Sequence, residues 1–326
     1  SVGPCRPTPA TRHLSRTTAR AHGSRRMLAG TTDNCRLPLL AGVGLKPQHY
    51  QSVLQAVPAS TSGSGCPAWL EVHPQNYFMA GGPQHRWLAE IAARFPISFH
   101  SVGLSLGSAA GLDRAELDAL TGLCQRYSPA VVSDHLSWSG SASNRYPDLL
   151  PVPYTREALD HFASQVGVVQ DRLKRTILIE NPSRYLAFAH DEMSEAEFLH
   201  ALCGRTGCGL LLDLNNIEVS ATNLGLDPFT MAAAIDPGLV GEVHLAGHAR
   251  EDHPGGVLLI DDHGSPVTDL TWDLLARFVA RAGPRPVLIE WDTNLPDWAV
   301  LIAEMDKAQA VMDAAFVRPV EAAAYA

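Results

Sequence analysis

The sequence predicts an α/β fold, a single (β/α)8 barrel. The first observation is eight short apolar runs, at 39–45, 68–73, 97–104, 130–136, 176–180, 209–214, 240–246 and 286–291. Their apolar character is nearly continuous rather than alternating, as in parallel strands buried on both faces. The second is that amphipathic helical stretches separate them, and about eight strand–helix units in series close most readily as a barrel. The third is negative. A doubly wound open sheet carries a glycine-rich phosphate loop after its first strand, and Gly42-Val43-Gly44 lacks the third glycine.

The helical stretches fall at 84–94, 113–127, 155–173, 194–204, 228–235, 269–281 and 297–314. Asp113 with Glu116, Thr155 with Glu157 and Ser194 with Glu197 read as helix starts. Pro147, Pro151 and Pro153 keep their segment out of a helix. The expected organisation is a disordered Arg-rich extension over 1–34, the barrel over 35–314 and an Ala-rich tail over 315–326.

Composition narrows the function. The chain is 46% apolar with a net charge of −9, and six Arg without any Asp, Glu or Lys fall in residues 1–26. The body is therefore more acidic than the whole, a poor match for nucleic acid. No apolar run reaches the roughly 18 residues that a membrane helix needs. The six cysteines are scattered, with no C-x-x-C pair, and read as reduced cytoplasmic thiols rather than a disulfide framework or zinc ribbon.

The chemistry lies where the polar residues fall. Barrel active sites form at the C-terminal ends of the strands. His49 follows run one; Glu71 and His73 end run two; His100 lies in run three; Asp134 and His135 lie in run four. Glu180 and Asn181 end run five, and Asp213, Asn215 and Asn216 end run six. His244 and His248 end run seven, Asp261 and His263 occupy the next loop, and Glu290 and Asp292 end run eight. So many carboxylates and imidazoles at one mouth would repel and desolvate one another without cations. A His/carboxylate set without cysteine suits iron, manganese or zinc, and its size points to more than one ion. Asp261-x-His263 can offer two ligands from one extended segment, and Glu180 and Glu290 can each bridge two ions. No G-x-S-x-G elbow accompanies the serines near His135. His85, His161, His190 and His200 fall on predicted helices and are expected to face solvent.

GVGLKPQHY (42–50), EVHPQNYF (71–78), FHSVGLSLGS (99–108), SDHLSWS (133–139), IENPSRY (179–185), LLDLNNIEVSATN (211–223), HLAGH (244–248), DDHG (261–264) and IEWDTNLP (289–296) together resemble one family. It is the multinuclear non-heme iron-dependent oxidative enzymes, which include the iron oxidase subunit of methanobactin biosynthesis. The resemblance spans about residues 39–300. It implies a TIM barrel of the xylose isomerase-like or endonuclease IV-like type. It also implies metal ligands at His49, His100, Glu180, Asp213 with Asn216, His244, Asp261 with His263, and Glu290. Asp134, His135, Asn181, Asn215, His248 and Asp292 would then surround the ligands or face substrate, with proton transfer assigned to Asp134 or His135. The implied cofactor is two or three irons in a mixed-valent Fe2+/Fe3+ state. The implied activity is dioxygen-dependent oxidation of a residue, cysteine above all, in a ribosomally made precursor peptide. A small partner protein that binds the precursor's leader is implied too.

Three other readings share part of this pattern. A zinc phosphodiesterase of the endonuclease IV type shares most ligands, but the acidic body and Asn216 weigh against it. A divalent-metal sugar isomerase or epimerase needs a proton-shuttling carboxylate or lysine over a polar sugar pocket, and only Lys46 of the three lysines lies near a strand end. A non-catalytic metal-binding protein is the third.

Overall fold

The computed structural model describes residues 36–56, 65–141 and 144–323, with side chains as far as residue 315. The expected extension over 1–34 lies outside the described residues.

In chain order the strands are β1 (Ala41–Gly44), β2 (Leu70–Val72), β3 (Ile97–His100), β4 (Val131–His135), β5 (Ser137–Gly140), β6 (Arg145–Pro151), β7 (Leu178–Glu180), β8 (Gly209–Asp213), β9 (Val240–Leu245), β10 (Ala249–His253), β11 (Gly256–Ile260) and β12 (Val287–Ile289). The helices are α1 (Tyr50–Gln55), α2 (Pro83–Ala92), α3 (Arg114–Tyr127), α4 (Arg156–Leu173), α5 (Glu195–Thr206), α6 (Leu214–Leu224), α7 (Pro228–Ala234), α8 (Asp269–Ala282) and α9 (Trp298–Ala323).

Strands β1, β2, β3, β4, β7, β8, β9 and β12 close into a barrel in that order, with every pairing parallel. The eight apolar runs thus become the eight barrel strands. The register levels the polar residues. His135 lies beside Glu180, Asp213 beside His244, and His100 beside Ser133.

Two antiparallel hairpins, β5–β6 and β10–β11, extend the loops after β4 and β9. One strand of each hairpin, β6 and β10, is mostly exposed and carries no apolar run to mark it. Helix α6 is also unanticipated. Asp213 ends β8 and caps the helix, its Oδ1 accepting the Asn216 amide at 2.6 Å. Asn215 and Asn216 therefore occupy the first turn of a helix rather than a strand end. The predicted caps at Asp113, Thr155 and Ser194 form, and Ser194 with Glu197 makes the full reciprocal box. Helix α9 runs to Ala323, through residues expected as a tail. It does so in spite of Pro319, which removes one helical hydrogen bond; the alanines around it are the best helix formers.

Helices pack apolar stripes on the barrel. Leu159, Phe162, Val166 and Val169 of α4 are buried at helical spacing, and Phe162 meets Phe198 of α5 edge-on at 6.4 Å. His85 corrects the solvent-facing expectation. It is buried, with its ring nitrogens 2.7 Å from the Tyr127 hydroxyl and 2.6 Å from the Met79 carbonyl. Gly42 is a packing glycine inside β1. A Cβ there would lie 2.6 Å from the buried Trp69 ring and 2.8 Å from its carbonyl. Gly42→Ala should therefore destabilise the fold by about 1–3 kcal/mol. Urea denaturation should show a lower midpoint with an unchanged slope; an unchanged midpoint would mean that the Trp69 ring gives way freely.

Candidate metal centre

The barrel mouth gathers its donors from successive strand ends. His100 ends β3, His135 ends β4 and Glu180 ends β7. The Nε2 atoms of His100 and His135 lie 3.2 Å apart, and Glu180 Oε2 is 3.1 Å from the first and 3.2 Å from the second. Such a triangle matches donor atoms that share one ion at about 2.0–2.2 Å. His244 joins His100 and Glu180 in a group whose ligand atoms lie within 4.8 Å of one another.

Glu290 is the hub of the remaining groups: Glu71–His244–Glu290, His73–Glu290–Asp292 and Asp213–His263–Glu290. Its Oε2 lies 3.0 Å from His244 Nδ1 and 3.5 Å from His263 Nδ1, and its Oε1 lies 4.0 Å from His73 Nε2. His244 Nε2 faces Glu71 at 3.4 Å and Glu242 at 3.5 Å. Asp261 Oδ1 is 2.7 Å from His263 Nε2.

The loop that carries Asp261 and His263 is held from three sides. Asn223 clamps Leu259 of β11 through both backbone groups. The Tyr185 hydroxyl accepts the Asp261 amide at 3.0 Å. The His263 carbonyl accepts the Asp292 amide at 2.9 Å. The segment is not extended as expected, because His263 adopts φ 46°, a left-handed conformation uncommon outside glycine. The turn is what brings the two side chains face to face.

The electrostatics are those of an over-charged cavity. Burial pushes Asp213 up to about 7 and, with Glu71 beside it, Glu242 up to about 8. Burial raises Glu180 well above the carboxylate range. Burial opposes charge on Glu290 as well, but the His263 and His244 rings outweigh it and hold its carboxyl well below the usual range. Those rings face the same burial, yet Glu71 and Glu290 raise His244, and Asp261 and Glu290 raise His263. Burial lowers His135 to about 4 and, with His135 and His244 nearby, lowers His100. Those two rings are neutral, the form in which imidazole binds metal. Glu71 Oε2, Glu180 Oε2, Asp213 Oδ2, Asn216 Oδ1 and His244 Nε2 are buried without hydrogen-bond partners. Buried carboxylate oxygens and a ring nitrogen left without hydrogen-bond partners in a His and carboxylate cluster fit divalent cations.

An outer ring fixes these donors. The Ser133 hydroxyl lies 2.8 Å from His100 Nδ1. Asn181 clamps Asp213, its Nδ2 donating to the Asp213 carbonyl and its Oδ1 accepting the Asp213 amide, both at 2.9 Å. Asn215 donates to Asp261 at 2.8 Å and meets His248 Nδ1 at 2.7 Å. Asn216 donates to Glu180 at 3.3 Å.

Not every expected residue converges. His49 stands outside all four groups. Its Nε2 lies 3.0 Å from the Pro296 carbonyl and its ring tilts against Trp298 at 5.4 Å. Asp134, pushed up to about 7 by burial, accepts the His135 amide at 2.7 Å and the Leu104 amide at 3.2 Å, tying backbone rather than facing the donors. Conversely, Glu71, His73 and Glu242 stand among the donors although the expected ligand set does not include them. Each belongs to an acid-x-His pair (Glu71-x-His73, Glu242-x-His244), the spacing that puts two strand side chains on one face. Asp292, expected as a surrounding group, joins a donor group directly.

Comparison with known proteins gives the lineage. The model for RiPP precursor modification enzymes MbnB/TglH/ChrH matches residues 40–313. The chain belongs to this family. A "UPF0276 protein" of Caulobacter vibrioides is 50% identical over 273 residues, covering 83% of this chain and 94% of that protein. Another, from Rhizobium meliloti, is 44% identical over 84% of this chain and 87% of its own length. Among solved structures, a xylose isomerase domain protein from Alicyclobacillus acidocaldarius superposes with a TM-score of 0.52 at 15% identity, covering 84% of this chain and 99% of that one. An L-ribulose 3-epimerase gives 0.52 at 14% identity, covering 87% and 97%. These two show the shared xylose isomerase-like barrel. The MbnB/TglH/ChrH membership makes the chain a modification enzyme. No described helix is long and apolar enough to cross a membrane.

Asp213, Glu180, His244 and His263 are all shifted toward holding a proton, and a proton must leave before such a group can ligate. Metal affinity should therefore rise with pH, by about tenfold or more between pH 6 and pH 8, with proton release on binding. Metal titrations in weakly buffered solution check both; uptake that is independent of pH would contradict the protonation states described.

Proposed function

We propose that this chain is an iron-dependent oxidase that modifies a cysteine of a ribosomally made precursor peptide. The observation that carries the reading is the Glu290-centred donor set in a barrel of the RiPP precursor modification family. His100, His135, Glu180, His244, Asp213, His263 and Glu290 would hold two ions, and His73 with Asp292 a third. When bound, the irons supply Lewis-acid and electron-transfer chemistry with dioxygen as oxidant.

The chain's own residues set the conditions. His100 and His135 stay neutral and present Nε2 to the centre. Ser133 orients His100, Asn181 fixes Asp213, and the Asn215–His248 pair fixes Asp261. Glu290 belongs to three of the four donor groups, so its carboxylate would help to hold more than one ion. His135 Nδ1 is buried without a partner, which makes His135 the better placed of the two residues expected to handle protons. Asp134 supports that strand end instead. The acidic body favours a peptide over nucleic acid, and a small leader-binding partner protein belongs to the same reading. The epimerase likeness is one of fold and brings no sugar site with it.

The test is incubation of the iron-loaded chain with oxygen, its candidate partner and a short cysteine-bearing peptide encoded nearby. Oxygen uptake with a mass change confined to the peptide is expected. Glu290→Gln should abolish the mass change and lose about a hundredfold or more in rate while the fold persists by circular dichroism. Full activity with zinc alone, or nicking of abasic DNA, would refute the oxidase reading.

A further inference from the structure

The His73–Glu290–Asp292 corner differs from the other donor groups in holding a basic side chain. Lys46 lies two residues beyond β1, and its Nζ forms an ion pair with Asp292 Oδ1, at 14% side-chain exposure for the lysine. His73 Nε2 lies 3.6 Å from that same oxygen, and His263 Nδ1 lies 3.6 Å from Asp292 Oδ2. Among the described residues, no Lys or Arg pairs with Glu71, Glu180, Asp213 or Glu290, whose ion-pair contacts are imidazoles where they have any. The oxygen that would complete the His73 corner therefore already faces an ammonium.

The geometry points to Lys46 as a built-in competitor for the cation at this corner, making it an exchange site: a divalent ion takes Asp292 only as Lys46 lets go. The inference rests on the metal reading above and assigns a role to a residue outside the donor set. Two positive charges on one carboxylate oxygen repel strongly in a partly buried site. A lysine is a point charge on a flexible four-carbon stem, so it can swing clear without moving backbone. The corner should accordingly be the weakest of the ion positions, and its weakness should belong to Lys46 rather than to a poor donor set.

The test counts ions and needs no substrate. The full chain, Lys46→Met, Lys46→Arg and the double variant Lys46→Met/Asp292→Asn are titrated anaerobically with Fe2+, and bound iron is measured after gel filtration. In Lys46→Met the weakest ion should bind at least about tenfold tighter, or appear where the parent chain retains none, while the tighter ions are unchanged. Lys46→Arg should behave as the parent chain, and adding Asp292→Asn should cancel the gain. Unchanged or weaker binding of the last ion in Lys46→Met, with the others retained, would overturn the inference and make Lys46 a support for Asp292. Absence of uptake by every variant would overturn this inference together with the metal reading.

Discussion

Everything at the barrel mouth depends on placing several carboxylates out of water within a few ångströms of one another. Glu71, Glu180, Asp213, Glu242 and Glu290 are all buried, and burial alone raises the free energy of each charged form. The structure answers in three ways. His244 and His263 lend positive charge to Glu290. Asp213, Glu180 and Glu242 are driven toward holding protons. Lys46 neutralises Asp292 at the edge. None of these leaves the donor atoms satisfied, since Glu71 Oε2, Glu180 Oε2 and Asp213 Oδ2 still lack hydrogen-bond partners. Divalent cations resolve the same problem with fewer compromises, which is why the cluster reads as a metal centre rather than a polar core.

The barrel makes so costly a cluster possible. Parallel strands in fixed register set His135 beside Glu180 and Asp213 beside His244. Asn181 locks the ends of β7 and β8 together through both hydrogen bonds of its amide. The Asp261–His263 turn, with its left-handed His263, is pinned by backbone bonds from the segment after β12. Strain at that one residue is offset by the hydrogen bonds around it.

Much of this was legible in the sequence. Eight apolar runs specify eight strands because a parallel sheet covered on both faces admits little else. The strand-end histidines and carboxylates follow from barrel geometry. What stayed hidden has local causes. Helix α6 is LNNIEVSATNL, where asparagines and β-branched residues mask its helical period. His49 and His73 look alike in sequence, each near a strand end and a proline. His73 follows β2 directly, whereas His49 ends the 3-10 turn Pro47–His49, which carries its ring toward Pro296 and Trp298. Glu242 lies inside β9 rather than at its end, so only its i,i+2 relation to His244 could have exposed it.

The central claim is that these residues hold redox-active iron rather than form a hydrogen-bonded rim. The most direct measurement is the metal content of the chain from iron-supplemented cells, with Mössbauer and EPR spectra of the same sample. Two to three irons per chain with a spin-coupled mixed-valent signal is the predicted result. A chain that retains only zinc, or no metal at all, under iron-rich growth would contradict the account.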